Sequence, residues 1–157
     1  MPTIRSAMPQ DQTRLLEMIH ALAKYHDDPP ACTSDALLRD VFSDDPFLHV
    51  LVAERSGPAE NTGLLGYAAL TRSAQLQRGL RGLDMHHLYV DSSARDEGIG
   101  AALVAATQTH AQALGCAYVT VGTHPDNVSA QAFYAAQGFQ RRDANGPRFV
   151  WRNLRIG

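Results

Sequence analysis

One strand-helix-strand unit constrains this chain more than any other feature of its sequence. The segment LDMHHLYVD (83–91) predicts a strand, GIGAALVAATQTHAQAL (98–114) predicts a helix that ends at Gly115, and AYVTVGT (117–123) predicts a second strand. A right-handed crossover through the helix makes the two strands parallel neighbours in one sheet. Ligands of open α/β sheets bind at the carboxyl ends of such strands. The segment between the first strand and the helix is therefore the first candidate for a binding site.

The other elements predict an α/β fold of the mixed (α+β) type. Apolar residues at helical spacing predict a helix from Asp11 to Tyr25, and HDDPPACTSD ends it and caps a second helix at 35–42. NVSAQAFYAAQ (127–137) predicts a fourth helix. Together with the strands of the crossover, the predicted strands are 3–7, 47–56, 62–73, 83–91, 117–123, 139–142 and 148–152, with the loop GPAEN (57–61) joining the second and third as an antiparallel hairpin. We expect a mostly antiparallel sheet of about seven strands with four helices, in a single domain of residues 1–157.

Composition excludes several classes of protein. The 157 residues are 45% hydrophobic and 19% charged with a formal net charge of -2, which is typical of one soluble globular domain and argues against nucleic-acid and membrane partners. The longest apolar run, Leu64 to Leu70, is too short to span a bilayer, and charges interrupt the N-terminal segment where a signal peptide would be apolar. Cys32 and Cys116 are isolated thiols, as expected in a reducing compartment. We expect a cytoplasmic protein.

The segment RDEGIG (95–100) lies between the predicted strand and helix. Gly98 and Gly100 remove side chains from a helix N-terminus, where free peptide N–H groups attract phosphate, and Arg95 adds a positive charge beside them. The third glycine of a dinucleotide fingerprint is missing, and so is the Lys-Ser/Thr pair of a P-loop. On spacing alone, a pyrophosphate site and a simple tight turn both fit this segment.

Two motifs carry a resemblance to a known family. HHLYVDSSARDEGIGAALV (86–104) resembles the acetyl-CoA binding motif of the GCN5-related N-acetyltransferase (GNAT) superfamily, in which a strand ends in Leu-x-Val and Arg/Gln-x-x-Gly-x-Gly/Ala opens a helix. NVSAQAFYAAQGF (127–139) resembles the second motif of the same superfamily. LAKYH, PFLHVLVAE and GPRFVW are similar to segments of its spermidine/spermine (diamine) N1-acetyltransferase branch, which includes thialysine acetyltransferases. The resemblance implies a GNAT-like sheet whose central parallel pair is splayed around acetyl-CoA.

The resemblance also implies a cofactor site for acetyl-CoA as co-substrate, with no metal. The strand ending in Leu-Tyr-Val would pair its backbone with the pantetheine arm, the loop would hold the pyrophosphate, and two residues of the last helix would contact the cofactor from the other side. The implied cofactor-binding residues are Leu88, Tyr89, Val90, Arg95, Asp96, Glu97, Gly98, Ile99, Gly100, Ala101, Asn127 and Ala130. Asp96 stands where this family commonly has glycine.

Acetyl transfer to an amine requires a base for the ammonium and an acid for the departing thiolate. Tyr134 matches the tyrosine acid of the family. His86 and His87 stand where the branch has an acidic pair, and strand alternation predicts His86 on the face of Leu88 and Val90 with His87 opposite. His86 is the candidate base, because an imidazole near a pKa of ~6.5 can take a proton at neutral pH. Two histidines on opposite faces with no third ligand predict no metal site.

The acceptor pocket is expected to include Tyr25, His26 and His87. Neutral imidazoles attract a polycation less than carboxylates do, so a smaller diamine or an amino-acid-like amine is as suitable an acceptor as a polyamine. We predict an acetyl-CoA dependent N-acetyltransferase that transfers acetyl directly to the primary amine of a small molecule. A protein or peptide N-acetyltransferase and a non-catalytic CoA-binding sensor module remain alternatives. A homodimer is expected because such assembly is common in the superfamily.

Overall fold

The computed structural model describes residues 2–57, 63–143 and 146–156, and the chain forms two compact units, Met1–Gly122 and Thr123–Gly157. The prediction of a single domain over residues 1–157 stays a prediction. The predicted loop at 57–61 and the first residue of the strand that follows it lie outside the described residues, apart from Gly57.

The first unit contains a five-stranded sheet in the order β1-β2-β3-β4-β5. All neighbouring strands are antiparallel except β4 and β5, which are parallel. The strands are β1 (Thr3–Ser6), β2 (His49–Arg55), β3 (Gly63–Gln75), β4 (Leu80–Val90) and β5 (Tyr118–Val121), and the helices of this unit are α1 (Gln12–Tyr25), α2 (Ser34–Asp40) and α3 (Ile99–Ala113). The mixed, mostly antiparallel sheet and its parallel pair, joined through α3, are as predicted.

Helix α1 buries one face and ends in a left-handed turn. Leu15, Met18 and Leu22 recur at helical spacing and are buried on one face. At its end the N–H of Asp28 donates to the carbonyl of Ala23 at 2.8 Å, and the residue between the helix and Asp28 has a left-handed φ of 58°. This is a Schellman ending, which usually places glycine at the left-handed position. Here that position is occupied by Asp27.

The sheet is covered on both faces. α1 and α2 pack on one face, where Val50 and Val52 of β2 join Tyr67 of β3 in the buried cluster. Leu51 and Ala53, which alternate with them, are also buried but belong to the other face, where α3 packs against β2, β3 and β4. Because β4 and α3 are both held in this packing, the loop that connects them is held at one end of the sheet.

The second unit contains α4 (Val128–Ala136), which confirms the fourth predicted helix. The two predicted terminal strands, 139–142 and 148–152, are wrong: neither forms a strand in the described residues, so the sheet has five strands and not about seven. FQRR has a single apolar residue, and Phe149, Val150 and Trp151 are consecutive and exposed. Without alternation these segments bury no sheet face, and strand propensity without burial is weak.

Candidate active site

The parallel pairing stops halfway along β4, where β5 ends. β3 pairs with β4 from Leu80 to Val90, whereas β5 pairs only with Gly82–Met85. Beyond that range, β4 has no strand on its β5 side among the described residues of the first unit. Peptide groups along an open edge need partners, and an extended ligand can supply them by adding to the sheet. Leu88, Tyr89 and Val90, which are predicted to contact the pantetheine arm, lie along this edge.

The N-terminus of α3 leaves its peptide N–H groups free of any cap. Gly98 is the N-cap residue, has a left-handed φ of 78° and offers no side chain to the helix. The N–H of Ala102 donates to the Gly98 carbonyl at 3.0 Å, so the N–H groups of residues 99–101 precede the first helical bond. These donors, together with the partial positive charge of the helix end, fit a pyrophosphate. Ile99, Gly100 and Ala101 are therefore suited to the role predicted for them.

The three charged residues before Gly98 differ in their surroundings. Glu97 forms a salt bridge with Arg55 of β2 at 2.8 Å, so its carboxylate is already engaged. Asp96 has a left-handed φ of 64°, which explains why a glycine suits this position. Arg95 is exposed, and its guanidinium carbon lies 5.9 Å from the centre of the Tyr25 ring. Among the three, Arg95 is the one that brings positive charge toward a phosphate.

A β-bulge changes the position of the two histidines of β4. In the ladder between β3 and β4, His87 pairs with Ala69 and Met85 pairs with Leu70, so His86 is an extra residue. An extra residue interrupts the alternation of side chains. The rings of His86 and His87 stack with centroids 4.2 Å apart and planes inclined by 16°. The prediction that they lie on opposite faces is therefore wrong, because it assumed a regular strand.

The stacked histidines do not form a metal centre with a neighbour. Within residues 2–57, 63–143 and 146–156, no three His, Cys, Asp or Glu side chains are placed to hold a metal ion. The helices in the same ranges are also too short or too polar to cross a membrane.

His87 is held by the buried hydroxyl of Tyr67. The Tyr67 side chain is 0% exposed, and its Oη lies 3.0 Å from His87 Nδ1. Burial, together with the neighbouring imidazoles of His86 and His26, lowers the pKa of His87 to about 4. Burial also raises the pKa of Tyr67 above its ordinary value, so both groups are neutral at neutral pH. Sequence reasoning missed Tyr67, whose only signal is a tyrosine in an aliphatic strand.

A cavity of about 220 Å³ opens beside His87, between α1 and the segment that follows it. Its polar lining residues include His20, His26, Asp28 and His87, and much of the remaining wall is apolar. Pockets that bury drug-sized ligands measure roughly 300–1,000 Å³, so this cavity suits a small acceptor. Two of the three residues predicted to contact the acceptor, His26 and His87, meet here.

Tyr25, predicted for the acceptor pocket, and His86, predicted as the base, do not line this cavity. Tyr25 is 68% exposed and carries Arg95 over its ring, and His86 is exposed on the bulge. His20 and Asp28 line it instead, and neither is among the residues predicted for the acceptor pocket. His20 is fixed by donation from its Nε2 to the carbonyl of Cys32 at 2.7 Å.

The second unit carries the other predicted site residues on α4. The side-chain oxygen of Asn127 accepts from the N–H of Ala130 at 3.1 Å, so Asn127 caps the helix. The Tyr134 ring makes edge contacts with Phe133 and Phe139, with centroids 5.2 and 5.6 Å away. Burial raises the pKa of Tyr134 above its ordinary value, so its phenol keeps a proton to donate.

Comparison with protein families agrees with both motifs. A family model described as the acetyltransferase (GNAT) family matches residues 15–139, which include the β4–α3 loop and α4. Thialysine N-epsilon-acetyltransferase from Bos taurus is 32% identical over 142 residues, covering 87% of this chain and 83% of that protein.

Solved structures share the fold at low identity. A ribosomal-protein-alanine N-acetyltransferase from Brucella melitensis biovar Abortus 2308 has a TM-score of 0.69 and 20% identity, covering 98% of this chain and 100% of that chain. An aminoglycoside acetyltransferase from an uncultured soil metagenomic sample, in complex with sisomicin, has a TM-score of 0.76 and 16% identity, covering 96% of this chain and 97% of that one.

Proposed function

The chain belongs to the acetyltransferase (GNAT) family and is an N-acetyltransferase; from that premise we propose that it transfers acetyl from acetyl-CoA directly to the primary amine of a small molecule. The observation that carries the proposal is the open edge of β4, which leads into an uncapped helix N-terminus at α3. An extended, amide-containing arm that ends in a pyrophosphate is the kind of ligand that suits both features.

Acetyl-CoA supplies the acyl group and a thiolate leaving group when bound. Leu88, Tyr89 and Val90 would pair with the pantetheine arm, and the peptide N–H near Leu88 would face the thioester oxygen, where negative charge develops during attack. Gly98 to Ala101 would hold the pyrophosphate with Arg95 beside it. Asn127 and Ala130 keep their predicted role as contacts on α4.

Two proton transfers accompany the reaction. The attacking alkylammonium, with a pKa near ~10, must first lose a proton, and the thiolate, with a pKa near ~8.5, leaves more readily when protonated. We assign the first transfer to His86, directly or through water, and the second to Tyr134. The raised pKa of Tyr134 supports its assignment as the acid.

The size of the cavity beside His87 favours a small acceptor over a peptide. The bovine relative is a thialysine N-epsilon-acetyltransferase by its name, which supports an amino-acid-like amine or a diamine as the acceptor class. Homodimer formation and a cytoplasmic location remain predictions.

The test is release of free thiol from acetyl-CoA over a panel of amines. The panel contains spermidine, putrescine, lysine, thialysine, simple arylalkylamines and a lysine peptide, with acetyl-CoA binding measured in parallel by calorimetry. We expect turnover with at least one small amine and weaker turnover with the peptide. Turnover with the peptide alone would replace the proposal with a protein acetyltransferase. Tight acetyl-CoA binding without thiol release from any amine would replace it with a CoA-binding sensor.

A further inference from the structure

We propose that Tyr67 fixes His87 as a neutral N–H donor that selects primary amines carrying a hydrogen-bond-accepting oxygen. The inference rests on the proposed function and names the acceptor class more narrowly. It assigns to His87 a role in specificity and to Tyr67 a role in positioning. Neither role follows from the sequence motifs, in which His87 only replaces one residue of an acidic pair.

The hydrogen bond between the Tyr67 hydroxyl and His87 Nδ1 has one possible donor, because the phenol hydrogen needs an acceptor. Among the described residues, His87 Nδ1 is the one hydrogen-bond partner of the Tyr67 hydroxyl. If Nδ1 donated to the phenol oxygen, the phenol hydrogen of a side chain that is 0% exposed would have no acceptor. An unpaired buried donor is costly. The hydroxyl therefore donates to Nδ1, and in a neutral imidazole the other nitrogen, Nε2, must carry the proton.

The remaining N–H is available to a ligand. Among the described residues, none accepts a hydrogen bond from His87 Nε2. Every fully buried side-chain nitrogen or oxygen of the described residues does have a partner, so a nitrogen without one is not fully buried. Nε2 is therefore reachable from solvent, and the space beside this ring is the 220 Å³ cavity. His20 differs, because its Nε2 hydrogen is already donated to the Cys32 carbonyl.

A fixed N–H donor in the cavity favours substrate amines that carry an oxygen atom able to accept its hydrogen bond. A protonated polyamine offers only N–H donors, so it leaves His87 Nε2 unpaired when it fills the cavity. A carboxylate or a carboxamide oxygen on the acceptor would take this hydrogen bond. Donor sites reject ligands that lack the matching group, because the donor loses its water without gaining a partner.

This tautomer of His87 excludes one catalytic role. Nε2 already carries a proton and has no lone pair to accept another, and Nδ1 could take one only by forming an imidazolium, which burial and the neighbouring imidazoles disfavour. His87 therefore serves as a donor and not as the base for the ammonium. His86 remains the proposed base.

The protonation state can be tested directly on the wild-type protein. Nitrogen chemical shifts of isotope-labelled imidazole distinguish a protonated ring nitrogen from a bare one, and comparison with His87→Gln identifies the signals. At neutral pH we expect a protonated Nε2 and a bare Nδ1 for His87. In Tyr67→Phe, Nδ1 loses its donor, so we expect the signals to shift toward a mixture of the two neutral forms. A bare Nε2 in the wild type would overturn the proposal whatever the kinetics show.

The selectivity can be tested with three amines that share one terminal amine: cadaverine, lysinamide and lysine. Cadaverine lacks the oxygen, lysinamide adds a carboxamide, and lysine adds a carboxylate. We expect the wild type to have a higher kcat/KM for both oxygen-bearing amines than for cadaverine. His87→Phe should reduce that ratio by about 10- to 100-fold, the range for loss of one such hydrogen bond, whereas His87→Gln, which keeps an N–H, should restore part of it.

Matched controls separate this inference from the proposed function. His110→Phe replaces a histidine that stacks on His49 and does not line this cavity, and it should keep the wild-type ratio. Acetyl-CoA binding by each variant shows that it is folded. Absence of turnover with every amine would contradict the proposed function, and the nitrogen shifts would still test the inference. Turnover with an unchanged ratio in His87→Phe would contradict the inference alone.

Discussion

The imidazole rings of His49 and His110 stack face to face, with centroids 4.1 Å apart and planes inclined by 12°. The pair joins the start of β2 to the last turn of α3. Ser6 of β1 lies 3.2 Å from His49 Nε2, and Arg72 of β3 is the nearby cation that disfavours protonation of both rings. Burial is the largest cause that lowers the pKa of each histidine, so the folded protein holds both rings neutral.

This pair predicts a loss of stability in mild acid. Because the folded pKa of each histidine lies below its unfolded value of ~6.5, the unfolded state binds more protons as pH falls. The stabilisation is complete above that value and decreases below it. We expect the free energy of unfolding, measured with urea between pH 8 and pH 5, to fall on acidification, with a smaller fall in His110→Gln. The same pH dependence in both proteins would contradict this role. His87, whose folded pKa is about 4, adds a fall of the same sign below pH ~6.5 in both proteins.

Replacing Asp96 or Asp27 by glycine should stabilise the fold, and replacing Asp96 should also increase the affinity for acetyl-CoA. Both have left-handed backbone, with φ of 64° and 58°, and glycine adopts this region without the clash that an L side chain meets. Each Asp→Gly variant should increase the free energy of unfolding by about 0.5–1 kcal/mol, after the entropic cost of glycine. Asp96→Gly should also bind acetyl-CoA more tightly, because it removes a negative charge beside the proposed pyrophosphate site.

Asp27→Gly is the matched control for this comparison, since it relieves the same backbone strain at the end of α1. Calorimetric titration with acetyl-CoA should give the wild-type affinity for Asp27→Gly. Equal affinities for both variants would show that the carboxylate of Asp96 does not oppose the cofactor.

The crossover unit could be predicted because its signals are local. Alternation or continuous apolar character identified β4 and β5, and helical periodicity with Gly115 identified α3, which ends there with a left-handed φ of 73°. The parallel pairing then followed from connection geometry. The glycine loop was predictable for the same reason, because N-cap geometry depends on the residues at the turn itself.

The arrangement of the histidines could not be predicted, because a bulge depends on two strands. The register shift lies between Ala69 and Leu70 of β3 and displaces His86 on β4, and neither sequence alone shows it. The hydrogen bond from Tyr67 to His87 links positions twenty residues apart in the chain. It depends on the pairing of β3 with β4, as do the neutral state and the orientation of His87.

Gly66 predicts a sharp steric effect beside the open edge of β4. A methyl group at this position would lie 2.5 Å from the carbonyl oxygen of Tyr89 and 3.4 Å from the Cα of Val90. Because these are backbone atoms, the strand itself must move. Gly66→Ala should lower the free energy of unfolding by about 1–3 kcal/mol and weaken acetyl-CoA binding. Gly122→Ala is the control, since a methyl group there meets nothing within 4 Å, and an equal loss in both would refute the steric explanation.

His86 predicts a change in the pH dependence of the rate. If this exposed imidazole accepts the proton of the ammonium, His86→Ala leaves the reaction dependent on the amine that is already neutral in solution. The pH at which kcat/KM reaches its plateau should then rise toward the pKa of the amine, near ~10. Rates with the preferred amine over pH 6 to 10 measure this shift. An unshifted profile would leave His86 with a role in packing against His87.

Tyr134 predicts a loss of turnover without a loss of cofactor affinity. Burial raises the pKa of its phenol, so the group is protonated over the working pH range and can donate to the departing thiolate. Tyr134→Phe keeps the ring contacts with Phe133 and Phe139 but removes the phenol proton. We expect kcat to fall by about 100-fold or more, the usual contribution of a general acid.

Tyr118→Phe is the control, because it also loses a tyrosine hydroxyl, one that is hydrogen-bonded to Ser73 of β3 at 3.1 Å, and it should keep kcat. The acetyl-CoA dissociation constant should be unchanged in both, so a fall in kcat confined to Tyr134→Phe would identify the phenol as the acid. An unchanged kcat in Tyr134→Phe would show that the thiolate departs without a proton from Tyr134.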